Sequence, residues 1–136
     1  MYRVRHIGLL LVWMLDLSCR ADSLQLYLEQ IKPVFKERCY ACHGALKQKA
    51  GLRLDSVTLM ERGSNNGNIL DVEGKDLPPL FQRLFSTDPE ERMPPEGKPI
   101  ETETIQALRM WIEADHPGPS DEKPEDDPLS HWAFLP

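Results

Sequence analysis

"RCYACHGALK", residues 38–47, sets two cysteines three positions apart and a histidine directly behind the second. Whatever this motif holds decides how the rest of the chain must fold. Cys-x-x-Cys-His is compatible with zinc binding, thiol–disulfide cycling, or covalent attachment of haem. A closed zinc site needs about four protein ligands. Beyond residue 43 the chain offers no further cysteine and only His116 and His131. Adjacent Cys42 and His43 are also poorly placed to share one tetrahedral ion. A thioredoxin-like pair leaves a strand and opens a helix, whereas this motif follows a helical pattern. A plain structural disulfide leaves His43 unexplained. Haem uses all three residues. Cysteines at i and i+3 share one side of a helical turn, within reach of two vinyl groups on one porphyrin edge. The imidazole of His43 can then bind the iron.

The N-terminus sets the compartment. Arg3, Arg5 and His6 precede the apolar run "IGLLLVWMLDL", which has the length of a signal-peptide core. A membrane-spanning helix needs roughly 20 apolar residues, and Asp16 interrupts this run. Residues 1–21 are therefore expected to be a signal peptide cut after Ala21, so that the protein is exported to the periplasm or cell envelope. Cys19 in "LDLSC" offers the alternative of a lipid anchor, and with it membrane association through the N-terminus. The whole chain carries a net charge of −6 at pH 7. Losing the basic leader makes the remainder more acidic still, which excludes nucleic acid as a partner.

Residues 22–116 form the expected folded unit, small enough to gain from a metal or cofactor. Leu24, Leu28, Ile31, Val34 and Phe35 mark one face of a helix that leads into Cys39. Asp22 or Ser23 is suited to cap it and Pro33 to kink it. A short helix is expected after Asp55, a turn at Gly63–Gly67, and a proline-started helix in "LPPLFQRLF" with Leu80, Phe81 and Leu84 inward. "IETETIQALRMWIEAD" is the second strong helix, with Ile105, Leu108, Trp111 and Ile112 on one face and Glu101 or Thr102 as cap. No alternating run suggests a strand. The expected fold is all-α, with helices and long loops wrapped around one covalently bound haem. Residues 117–136 read as an acidic, proline-rich linker ending in "HWAF".

If His43 fills one axial position, the other must come from elsewhere. Met60 and Met110 sit in helical runs and read as core residues. Met93 stands alone among charges and prolines in "EERMPPEGKP", fifty residues beyond His43. Pro94 and Pro95 stiffen the chain behind it. Met93 is therefore the expected distal ligand. A saturated His/Met iron favours electron transfer over catalysis.

"CYACHG", "AGLRLDS", "RMPPEGKP", "LRMWIEAD" and the closing "HWAFLP", in that order, resemble the planctomycete-type cytochrome c domain over residues 24–116 and on to the terminal "HWAF". The resemblance implies a class I-like cytochrome c fold, with Cys39 and Cys42 as thioether anchors to haem c, His43 as proximal ligand and Met93 as distal ligand. The chain departs from the family at "VEGKDLPP", where Glu73 precedes Gly74 in place of a Pro-Gly pair. In the family the His-Trp motif commonly leads into larger domains.

Around the motif, Phe35 and Trp111 read as packing residues. Arg53 is a candidate haem propionate partner, with Asp55 as its competing partner. Lys32, Lys36, Arg38, Lys47, Lys49 and Arg53 bracket the motif in an otherwise acidic chain. They read as a solvated face or, more sharply, as a basic rim that steers an acidic redox partner, unless the acidic tail folds over it. The expectation is a monohaem electron carrier with no substrate of its own, hence not an enzyme, serving redox protein partners or fused domains. Its rivals are a redox module of a larger surface enzyme and a disulfide-held, non-haem interaction domain.

Overall fold

The computed structural model describes residues 20–71, 77–127 and 130. The leader with Cys19, the Glu73–Gly74 departure, and "HWAF" with His131 lie outside the described residues. Among those described, the architecture is helical with no strand, and only isolated bridges such as His43 with Gln48 occur. The all-α expectation holds.

The first helix already runs through residues 20–26, so neither Asp22 nor Ser23 caps it. It widens into a π-helical stretch, Tyr27–Ile31, and continues as the α-helix Lys32–Arg38. Pro33 accounts for the change. It brings no N–H to the ladder, and its ring crowds the carbonyl four residues back. A wider turn at that point absorbs both defects. The buried face is Tyr27, Ile31 and Phe35, while Leu28, expected inward, is 44% exposed. Tyr27 takes that place because its ring stacks on Trp111 at 5.1 Å between centroids.

Trp111 belongs to the C-terminal helix Thr102–Glu113, which packs against the Tyr27–Ile31 stretch. Ala107, Leu108 and Trp111 are buried, with Ile105 and Ile112 partly so. Met110, expected in the core, falls off that stripe and is 62% exposed. Between the long helices lie Val57–Arg62, capped by the Ser56 hydroxyl accepting from the Leu59 N–H, and Pro79–Phe85. Phe81 and Leu84 face inward as expected, and Leu80 is half-buried. A 3-10 turn, Lys49–Gly51, appears in the middle stretch where no element was expected.

The linker reading of residues 117–136 needs revision for its first part. The Pro117 carbonyl accepts from the Trp111 indole N–H at 2.9 Å. Glu122 reaches back to the first helix, accepting from the Tyr27 hydroxyl at 2.8 Å and from Lys32. Its other oxygen accepts from the Val57 N–H at 2.8 Å. Composition gave those residues the look of a spacer. Buried donors on the body give them partners.

Candidate functional site

The site begins where the first helix ends. Cys39 breaks the helical geometry and serves as N-cap of the short helix Tyr40–His43. The Cys42 and His43 N–H groups both donate to the Cys39 carbonyl, at 3.0 and 2.8 Å. That single turn brings Cys39, Cys42 and His43 to one cavity. Gly44 follows because a β-carbon there would come within 2.6 Å of the Tyr40 carbonyl oxygen. The chain then returns, and the His43 carbonyl accepts from the Leu54 N–H at 2.8 Å. This docks the "AGLRLDS" segment beside the motif and presents Leu52 and Leu54 to the same cavity.

The cavity has a volume of about 320 Å³ and a mainly apolar lining. Phe35, Ile69, Leu84, Ile100 and Leu108 come from the surrounding elements, and Met93, Pro94 and Pro95 from the proline-rich loop. Met93 is tethered by its own N–H, which donates to the Arg83 carbonyl at 2.9 Å. Thus Cys39, Cys42, His43 and Met93, picked out from sequence, line one space. Met60 is fully buried in the core, and Met110 is exposed. Neither lines the cavity. His116 lies apart from it, with Nε2 3.3 Å from a Glu61 carboxylate oxygen and its ring edge-on to Trp111.

Burial shapes the chemistry of the motif. The Cys39 thiol is pushed up to about 11 by burial, with Arg38 lowering it and Cys42 raising it further. Burial lowers the pKa of His43, while the backbone of Leu52 and Lys49 pulls in the other direction. His43 is therefore held towards its neutral form, the form that binds iron. Its Nδ1 is buried and makes no hydrogen bond that meets normal geometry.

These features fit a covalently held haem. Among the described residues, Cys39 and Cys42 are free thiols. Among the described residues, no cluster of three or more His, Cys, Asp or Glu is arranged to hold a bare metal ion. The histidine and the thiols instead border an apolar space shared with a thioether.

Arg53 does not line the cavity. Its Nε donates to Asp55 Oδ1 at 2.9 Å and its Nη2 to Asp55 Oδ2 and the Glu125 carbonyl. Asp55 is fully buried and accepts the Glu125 N–H as well. The propionate role proposed for Arg53 is therefore not supported by its position, since its donors are engaged elsewhere. Arg38 and Arg83 are the arginines that reach the cavity. Sequence reasoning counted Arg38 only as part of a basic rim and passed over Arg83. The signal for Arg38 was its place four residues after Val34 and next to Cys39, on the helix face that turns to the site.

Residues 39–97 match the family described as Planctomycete cytochrome C. No curated protein and no solved structure matches the chain.

Proposed function

We propose, from the match of residues 39–97 to the Planctomycete cytochrome C family, that the protein is an exported monohaem electron carrier. A haem-binding, electron-transfer role follows from the family. The finer reading assigns Cys39 and Cys42 to the two thioether bonds of one haem c, His43 to the proximal position and Met93 to the distal one. A single observation carries it: the Cys39–Cys42–His43 turn and Met93, fifty residues beyond His43, border one apolar cavity of about 320 Å³. When bound, the haem supplies a one-electron iron couple. The protein contributes thiols to fix it, a neutral imidazole to hold the iron, and an apolar wall to exclude water. With His43 and Met93 as its two protein ligands, the iron would have no position left for a substrate and a potential higher than with two histidines.

Export by residues 1–21 belongs to the same proposal, as does a redox protein partner or fused domain. Among the described residues no helix is long and apolar enough to cross a membrane. A partner of acidic character is supported by the surface beside the motif. Leu46 is 70% exposed, and the exposed side chains of Lys36, Lys47 and Lys49 enter no ion pair among the described residues.

Pyridine haemochrome spectra of protein matured with the haem-attachment machinery test the covalent cofactor. Cys39→Ala with Cys42→Ala should abolish it. The weak near-infrared absorption of an Fe(III)–thioether bond tests Met93. It should be present in the wild type and lost in Met93→Ala, and its survival in that variant would sink the assignment.

A further inference from the structure

The loop that carries Met93 is fastened at two points. At its start the Met93 N–H donates to the Arg83 carbonyl. At its end the Lys98 carbonyl accepts from Arg38 Nη2 at 2.5 Å. The second tie joins residues 60 positions apart, and it starts from the residue directly before Cys39. We infer that Arg38 is a positioning residue that pins the Met93 loop across the cavity, coupling the haem-attachment turn to the distal side. This rests on the reading of Met93 as the distal ligand.

The geometry explains why the tie needs these residues. Arg38 ends the Lys32–Arg38 helix and lines the cavity together with Met93, Pro94 and Pro95. Its guanidinium stays charged at any ordinary pH and offers several donors on a planar fork. A charged donor on a backbone carbonyl makes a stronger hydrogen bond than a neutral one. Gly97, at φ +77°, turns the chain so that the Lys98 carbonyl lies against Arg38. A residue with a β-carbon adopts that backbone conformation only with strain. Two prolines in succession stiffen the span between the ties. If Met93 ligates the iron, releasing it would mean loosening a span tied at Arg83 and at Arg38. Sequence holds no direct sign of this, because the acceptor is a backbone atom.

Imidazole, titrated into the oxidised holoprotein and followed by loss of the Fe(III)–thioether absorption, reads how readily the loop opens. Its apparent affinity scales with the open fraction. Arg38→Met is expected to bind imidazole about tenfold more tightly than wild type, the size set by a charged hydrogen bond. Gly97→Ala should shift the same way, and both should speed hydrogen exchange at the Met93 amide, which donates to the Arg83 carbonyl. Arg109→Met removes a charge of the same sign from an exposed helical position and should leave both readings unchanged. If Arg38→Met shifts the reduction potential but neither imidazole affinity nor exchange, Arg38 acts only as a charge and the proposal is overturned. Unchanged behaviour in both Arg38→Met and Gly97→Ala overturns it too. Failure of the Met93 reading looks different: the wild-type absorption would be missing, or would persist in Met93→Ala.

Discussion

At the residue scale, the site sets thiol chemistry against burial. Cys39 has to lose its proton to react as a nucleophile, yet burial raises its pKa from an ordinary 9.0 to about 11. In the haem-free chain its alkylation by iodoacetamide should follow a midpoint near pH 11, measurable by mass spectrometry against pH. The sign for stability follows. A folded-state pKa above the unfolded value means that the folded chain holds the proton more tightly. The contribution is fully present below about pH 9 and is lost as the pH rises through 11, so haem-free protein should unfold in less urea across that window. That Cys39, Cys42 and His43 share one cavity was legible in sequence because they lie within one turn. The place of Met93 beside them was suggested by contrast, as an apolar side chain in a charged, proline-rich loop. For Arg53, sequence left a haem propionate and Asp55 as rival partners, because spacing does not say which carboxylate the fold brings to a cation. Asp55, two residues away, and the Glu125 carbonyl, 72 away, take its donors.

At the scale of elements, both long helices could be read from periodicity, and one of their faces could not. The C-terminal helix presents Leu108 and Trp111 inward, as its 3.6-residue pattern requires. The first helix departs because Pro33 widens the turn before it, and because Tyr27 has a partner that no local pattern reveals. Its ring lies on Trp111 with 13° between planes, and its hydroxyl donates to Glu122. These two roles separate experimentally. Tyr27→Phe keeps the stack and loses the hydrogen bond, and should cost about 1 kcal/mol. Trp111→Ala removes a fully buried indole and should cost about 3–5 kcal/mol. Urea unfolding of the holoprotein measures both. A larger loss from Tyr27→Phe than from Trp111→Ala would mean that the hydroxyl, rather than the stack, joins the helices.

At the scale of the whole molecule, the acidic C-terminal segment is part of the folded body up to at least Glu125. Glu122 gathers the Tyr27 hydroxyl, Lys32 and the Val57 N–H, and only 6% of its side chain is exposed. Gly118 presses so close that a β-carbon there would lie 2.7 Å from a Val57 methyl. The segment also edits the surface charge. Lys32 and Arg53 are occupied by Glu122 and Asp55, whereas Lys36, Lys47 and Lys49 stay exposed, without ion pairs among the described residues. If those three lysines steer an acidic redox partner, Lys47→Glu with Lys49→Glu should lower the second-order electron-transfer rate at low ionic strength. The difference should close as salt rises, because charges farther apart than about 8 Å are screened near 0.15 M. Glu122→Gln should leave the tail in place but weaken its hold on Lys32, costing about 1–3 kcal/mol of stability. Removing residues 117–136 instead uncovers Lys32 and removes the acidic tail, and should raise the partner rate at low salt above wild type. Stopped-flow rates with an acidic acceptor over a range of salt concentrations separate these outcomes. A wild-type rate that ignores ionic strength would show that charge plays no part in choosing the partner.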